Sequence, residues 1–374
     1  MGFWLYRTHI DRRAFASDAQ TETFDLPKKG ILSNLLIRLE AKPGSQNNDI
    51  YLADIISKLE IIGNGSTVIQ SMDGRQIQAS MAFDDKAFPP DEEDVPGWAF
   101  GHFDIRFGRF PGDELYALDA GKWDSLELKF TYDLVAGGTI DTTGFGTGSG
   151  YLTALGLYSP DGVGLAPIGY LKKAEKRTFT ASVGGTHDID LPDDYPYRRL
   201  MLFTETHGNG TDGAFYRTTI NTNDGARKSF DRIRPRDLRA LAAMLGYGNY
   251  RYSKRIYLVQ GAVTQIHRPL GWMTGIAMVP YAGGEWATSC PTQQDPSQIQ
   301  WPSVTGVKYV MLTIFGLMPW GAHVIDLERM SGGKHGSEAM EAILGASEKD
   351  NIDLEIEEND TSACSIVLEQ YASK

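Results

Sequence analysis

A short pattern that occurs twice constrains this chain more than anything else in it. Phe24-Asp25-Leu26-Pro27 is repeated as Ile189-Asp190-Leu191-Pro192. Three further landmarks are also duplicated. Arg12-Arg13-Ala14-Phe15 answers to Lys176-Arg177-Thr178-Phe179, and a hairpin-like segment turning at Asn64-Gly65 answers to one turning at Asp224-Gly225. Arg75-Gln76-Ile77-Gln78-Ala79 answers to Arg236-Asp237-Leu238-Arg239-Ala240. The four keep one order at spacings of about 160–165 residues, the trace that a duplicated fold with loop insertions leaves behind. The expected organisation is an N-terminal arm over residues 1–11, a first copy over 12–170 and a second copy with longer loop insertions over 171–370.

Size and composition agree with two β-rich units. A chain of 374 residues exceeds one ordinary core. The 41% hydrophobic residues, with 17 Tyr, 16 Phe and 7 Trp, are enough to fill two, and 41 Gly imply many turns. A formal charge of −12 argues against a partner that presents a phosphate backbone, so no direct sequence-specific nucleic-acid binding is expected. Cys290 and Cys364 can pair or stay free; their spacing decides nothing. No apolar run reaches the roughly 18 residues of a spanning helix. Met1 to Arg7 lacks a signal-peptide pattern, which predicts a cytosolic product. Phe3, Trp4, Leu5 and Tyr6 beside Arg7 suit either an interfacial anchor or an arm packed on a neighbouring subunit.

Periodicity places the elements. Strands are predicted over 31–40, 55–62, 67–72, 103–107, 126–134 and 151–158 in the first copy. The second copy has them over 199–206, 214–221, 227–230, 255–259, 273–279, 307–315 and 365–370. Asn64-Gly65 is a hairpin turn because both residues tolerate positive φ. Asp73 caps a helix over 75–83, Pro235 opens one that runs to about Leu245 before Gly246, and Ser337 to Leu344 forms a short third. Asp84 to Pro96 and Gly137 to Gly150 read as loops, the first acidic and proline-rich, the second glycine-rich. The Asp of each Asp-Leu-Pro is expected to bond its local backbone and start the first core strand of its copy.

Tests for chemistry yield no candidate. His9, His102, His187, His207, His267, His323 and His335 are scattered without metal-site spacing, so neither a metal site nor a cofactor is expected. Gly208-Asn209-Gly210-Thr211-Asp212-Gly213 matches G-x-G-x-x-G in letters but leads into a strand-like segment, where phosphate binding needs a helix N-terminus. Asn221 to Gly225 begins like a calcium loop without its closing acid, and Asp91-Glu92-Glu93-Asp94 lacks the alternation of one. Asp25 and Asp190 form a repeated carboxylate pair, but no second repeated acid accompanies them, so no catalytic residue is assigned and no enzyme is expected. The sequons at Asn64, Asn209 and Asn359 matter only in a secreted protein.

A tandem pair of β-rich domains, with the Asp-Leu-Pro pattern, the Ile61-Ile62-Gly63-Asn64-Gly65-Ser66-Thr67 hairpin and the Gly74-Arg75-Gln76 helix start, resembles the double jelly-roll major capsid proteins of tailless icosahedral viruses. The resemblance runs from about Arg12 to Leu368. It implies an all-β chain of two tandem eight-stranded jelly-roll β-sandwiches with short helices in the loops. It also implies a homotrimer acting as a pseudo-hexagonal capsomer in a virion assembled in the host cytoplasm. The implied partners are further copies of the chain, minor capsid or penton proteins, and an internal viral membrane reached by the N-terminal arm. The alternative is a carbohydrate-binding or carbohydrate-active β-sandwich pair with Trp98, Trp272, Trp286, Trp301 and Trp320 stacking on sugars.

Overall fold

The computed structural model describes residues 4–43, 51–88, 98–134, 145–160, 164–205, 214–258, 264–267, 270–280, 292–295, 298–301, 308–345 and 350–373. In the first half the order is β1 (Leu5–Ala14), β2 (Ala19–Asp25), β3 (Ile31–Pro43), α1 (Leu52–Ile55), β4 (Ile56–Gly63), β5 (Thr67–Met72) and α2 (Gly74–Asp85). It continues with β6 (Ala99–Arg106), the two-residue β7 (Leu118–Asp119), β8 (Leu126–Asp133) and β9 (Phe145–Ser159). The second half begins with β10 (Tyr170–Thr180), β11 (Thr186–Leu191), β12 (Tyr197–Glu205), β13 (Phe215–Thr222), β14 (Arg227–Ile233) and α3 (Pro235–Met244). An excursion follows: β15 (Tyr250–Leu258), β16 (Thr264–His267), β17 (Leu270–Pro280), β18 (Thr292–Asp295), β19 (Gln298–Trp301) and β20 (Lys308–Pro319). The half closes with β21 (His323–Asp326), α4 (Leu327–Met330), α5 (Ser337–Leu344), β22 (Ile352–Glu358) and β23 (Ala363–Ala372).

Alternation drives the strands. In β8 the odd positions Leu126, Leu128, Phe130 and Tyr132 are buried and the even ones half-buried, and β22 does the same with Ile352, Leu354 and Ile356. Sheet β1-β9-β3-β6, with β7 on β3, covers β2-β8-β4-β5 around a core that includes Leu35, Ile37, Phe103, Leu152, Leu59 and Leu128. Sheet β10-β23-β12-β21 covers β11-β22-β13-β14 around Leu200, Leu202, Ile366, Ile189, Ile220 and Leu354. If the principal strands of each half are numbered in chain order, with β7 and the excursion left out, both sandwiches read 1-8-3-6 over 2-7-4-5. That is the jelly-roll order, and the chain is all-β with two of them in tandem.

The two rolls are joined by a splice. β5 and β10 pair in parallel at Gln70↔Lys173 and Ser71↔Ala174, so β2-β8-β4-β5-β10-β23-β12-β21 is one eight-stranded sheet. Parallel pairing makes the rolls point the same way. Leu5 and Ala372 therefore lie at one end of the sheets, while the connections holding α2, α3 and the excursion leave from the other.

Caps and turns form as their residues dictate. Asn64 and Gly65 both take positive φ between β4 and β5, as do Asp224 and Gly225 between β13 and β14. Asp73 accepts a 2.7 Å bond from the Gln76 amide, and the Asp73 amide donates one of 3.0 Å to Gln76 Oε1, a capping box at the start of α2. Pro235 occupies the first turn of α3.

Four expectations are corrected. Residues 5–11 are not an arm, because Leu5 to Ala14 pair with β9. The Asp-Leu-Pro motif ends a strand: Asp25 and Asp190 are exposed near the ends of β2 and β11, while Leu26 and Leu191 turn inward before the proline that lacks an amide proton. The buried Tyr197 hydroxyl donates to the Pro192 carbonyl and fixes that turn. The glycine-rich stretch is strand from Phe145 onward, because the Phe15 ring lies 2.0 Å from where a Cβ on Gly150 would sit. Asp84 is not in a solvated loop but in the last turn of α2. Asp91 to Asp94 lie outside the described residues.

Gly63, at the end of β4, has no room for a side chain: its Cβ would lie 2.0 Å from Trp123 Cε3. Gly63→Ala is expected to destabilise the protein by about 1–3 kcal/mol through overpacking, read as a lower thermal midpoint. Adding Trp123→Leu is expected to return part of the loss; a neutral or stabilising Gly63→Ala would contradict this packing.

Candidate functional site: a buried charge cluster at the seam

Where the two rolls meet, α2 of the first lies across β10, β23 and β12 of the second. Its polar residues point at that sheet because the sheet carries polar partners there. Gln76 Nε2 donates to Glu175 Oε2 at 2.6 Å and to Ser365 Oγ at 3.0 Å. One to two turns on, Ser80 Oγ accepts from Lys173 Nζ at 2.9 Å. At the end of the helix Asp84, its side chain 1% exposed, accepts from Lys173 Nζ at 3.2 Å, Arg198 Nη1 at 3.1 Å and Arg199 Nη2 at 2.6 Å.

Glu369 of β23 completes the cluster. Its fully buried carboxylate meets Arg198 Nη1 at 2.8 Å and Lys173 Nζ at 3.2 Å, and it accepts a short bond from Arg199 Nε. Cross-strand register brings them together, since Lys173 and Arg199 are the two strand partners of Glu369. Glu328 of α4 adds a third carboxylate: it takes Arg198 Nε at 2.6 Å and the Tyr371 hydroxyl at 2.8 Å, and faces His335 Nδ1 at 2.9 Å. Arg109 Nη1 approaches the other nitrogen of that ring at 3.0 Å, tying the segment after β6 to the segment after α4.

Three carboxylates thus face Arg198, Arg199 and Lys173 out of water. Burial opposes ionisation of Asp84, but Arg199, Lys173 and Arg198 outweigh it and hold the carboxyl well below its usual range. Burial likewise opposes the Glu369 charge, and Arg198, Arg199 and Lys173 bring its pKa down to about 2. For both arginines burial works against the charge, and the carboxylates override it and raise their pKa. Carboxylates pushed this far from neutrality are poor proton carriers at pH 7. The arrangement is one of mechanical fixing: cations and anions that stay ionised while one roll is docked on the other.

The residues singled out in the sequence are spread through the fold. Asp25 ends β2 of the first roll, and Asp190 stands opposite Asp353 on the outer surface of β11 and β22. Partial burial, then the bond to Asp190 and its charge, raise the Asp353 pKa. His187 faces Glu358 at 3.2 Å, His323 is buried in β21, and His102 lies in β6. Among the described residues no group of three or more His, Cys, Asp or Glu is placed to hold a metal ion. Cys364 is buried in β23, while Cys290, Trp286 and Gly208 to Gly213 lie outside the described residues. Trp98 packs on Tyr151, Trp320 donates to Gln78 Oε1 and packs on Tyr51, and Trp272 is exposed under Arg239. The cluster itself was missed. Its available signal is Arg198-Arg199 opening the run Leu200-Met201-Leu202-Phe203, whose lack of alternation marks a strand buried on both faces.

The fold and the seam together define a tandem double jelly roll with its halves fused side by side. No protein-family model matches the chain, and no curated protein matches its sequence. Among solved structures it is similar to the major capsid protein P2 from bacteriophage PM2, at 11% identity and a TM-score of 0.52 over 100% of this chain and 99% of that one. It is similar to the STIV MCP at 11% identity and 0.58 over 100% and 97%. A chain in the atomic structure of Sulfolobus Turreted Icosahedral Virus matches at 10% identity and 0.57 over 100% and 91%. The likeness is one of fold, and it extends over the whole chain.

Removing one member of the cluster leaves the others buried and unpaired. Asp84→Asn is expected to cost about 3–5 kcal/mol in denaturant unfolding, far more than a surface pair. The pH dependence follows from Glu369. Its folded pKa, about 2, lies below its ordinary 4.5, so the unfolded chain takes up the proton first. The stability it contributes is whole above about pH 4.5 and is lost as the pH falls toward 2. In thermal melts across that window Glu369→Gln is expected to start lower and decline less steeply than the parent; parallel declines would contradict the assignment.

Proposed function

We propose that this chain is the major capsid protein of a tailless icosahedral virus, a structural subunit and not an enzyme, resident in the virion shell and assembled in the host cytoplasm. Residues up to about 170 and residues 171–370 are its two rolls. Three copies form a pseudo-hexagonal capsomer, in which six rolls of one strand order stand side by side and offer six similar walls to neighbouring capsomers and to minor capsid or penton proteins. The end of the sheets that holds Leu5 faces inward, where the first residues of the chain reach an internal membrane or a neighbouring tile. A body of charge −12 does not grip the genome.

The observation that carries this reading is the fusion of two rolls of identical strand order, pointing the same way, in a single sheet. The full-length likeness to the P2 capsid protein supports it. Two rolls held by a buried ion cluster behave as one rigid tile, which a shell subunit needs.

The test is mass in solution. Size exclusion with light scattering on the purified chain is expected to give three copies per particle, and negative-stain images six-lobed outlines. A chain that stays monomeric at micromolar concentration would sink the proposal.

A further inference from the structure

His335 sits where the two rolls meet, at the end of the sheets that holds Ala372. It belongs to the segment between α4 and α5, and both of its ring nitrogens are engaged. Nδ1 lies 2.9 Å from Glu328 Oε1, and Nε2 lies 3.0 Å from Arg109 Nη1 on the segment between β6 and β7. A guanidinium has protons to give and no lone pair to offer, so Arg109 donates and Nε2 accepts. The neutral ring therefore carries its one proton on Nδ1, toward Glu328.

The two neighbours are held from opposite sides. Arg109 is clamped to the Asp113 carboxylate through Nε at 2.7 Å, Nη2 at 3.0 Å and its own amide at 3.1 Å, and Asp113 also accepts from the Leu115 amide at 3.0 Å. Glu328 is tied to the seam cluster, since its Oε2 takes Arg198 Nε and the Tyr371 hydroxyl. His335 has room to turn between them. Gly333 and Gly336 flank Lys334-His335 with φ of 89° and 56°, and a cleft of about 680 Å³ lined by Tyr116, Ile168, Pro196 and Tyr371 opens beside the ring.

A second proton upsets this arrangement. It can go only to Nε2, where donor then faces donor and cation faces cation across 3.0 Å. The same proton strengthens the pull of Glu328 on Nδ1. Imidazole is the side chain whose ordinary range falls between about pH 5 and 8. The bond to Asp113 raises the Arg109 pKa; burial opposes the Asp113 charge, but the bonds from Arg109 outweigh it and lower that pKa. Burial pushes the Tyr116 and Tyr371 hydroxyls up, and for Arg198 burial is outweighed by Glu369, Asp84 and Glu328, which raise it. Lys334 and Glu338, the charged residues beside His335 in sequence, are exposed and screened by solvent.

We propose that His335 is a pH-sensitive latch between the rolls: neutral, it joins the Arg109 segment of the first roll to the α4–α5 segment of the second, and protonated on both nitrogens it turns about Glu328 into the cleft and releases Arg109. The latch is closed in neutral solution and open in mild acid, while Asp84 and Glu369 keep the rest of the seam shut. It lies within one folded chain, so it stands or falls independently of the capsid reading.

Hydrogen exchange read by mass spectrometry on the full chain tests this at about pH 7.5 and about pH 5.5, with labelling times corrected for the intrinsic rate. Glu369 gives up its contribution only below about pH 4.5, so the seam cluster is intact at both. In the parent, the amides of residues 109–117 are expected to lose about tenfold in protection at the lower pH, as the loss of one bond to a charged group allows. Those of β8 are expected to keep theirs. His335→Gln, neutral at either pH, and His335→Lys, a fixed cation, are each expected to abolish the pH dependence, with protection of 109–117 lower throughout in His335→Lys. Both are expected to keep the circular dichroism of the parent. Equal protection of the parent segment at the two pH values, or an undiminished fall in His335→Gln, would overturn the latch. A fall shared by β8 would mark acid unfolding of the whole chain and would overturn it as well.

Discussion

Placing Asp84, Glu369, Lys173, Arg198 and Arg199 in one dry space is the constraint the architecture has to meet. Ions taken out of water are tolerable only when each finds its opposite at hydrogen-bonding distance. Here the partners arrive on four elements: the end of α2, and strands β10, β12 and β23. The cluster closes only when the rolls sit in one orientation, so it specifies the angle and register of the seam. Two greasy surfaces would slide; a carboxylate between two guanidinium groups does not.

That demand explains why the sheet β10-β23-β12-β21 is unusual within the molecule. One of its faces closes the second core with Leu200, Leu202 and Ile366, and the other is packed on the first roll through Met201, Phe203 and Val367. The corresponding sheet of the first roll has one face in its core and the other turned outward. Duplicated elements have therefore diverged according to what covers them. Gln76, Ser80 and Asp84 in α2 serve a polar seam; α3 and its C-cap carry Asp237, Leu241 and Leu245 at the equivalent positions.

Much of the fold is legible in the sequence because its signals are local. Asn64-Gly65 forces positive φ, Asp73 and Gln76 cap each other, Pro235 opens α3, and Leu126 to Asp133 alternates cleanly. The duplication follows from the order of such landmarks, and the two identical strand orders agree with it. Errors came where a local signal points the wrong way. Glycines in β9 suggest a loop, but Gly150 is glycine because Phe15 needs the space. Asp84 opens an acidic, proline-rich run and so reads as solvated, though it belongs to the helix before it. The seam was illegible because nothing local encodes it. Asp84 and Arg199 are 115 residues apart and Arg199 and Glu369 are 170 apart, and single strand registers bring them together.

The reach of these contacts sets an order for the life of the chain. Gln76 bonds Ser365 across 289 residues, and Asp84 shares its cations with a glutamate in the last strand. When the first roll leaves the ribosome its helix α2 is finished as a helix but bare on one side, with an acid waiting for arginines not yet synthesised. β23 must then insert between β10 and β12 before the interior is electrically neutral. Pairings so distant in sequence form slowly and leave apolar surface open meanwhile. A chain built in this way is vulnerable to wrong encounters until strand β23 is in place, and a ribosome that stops short of that strand releases a half-made fold with its charges unbalanced.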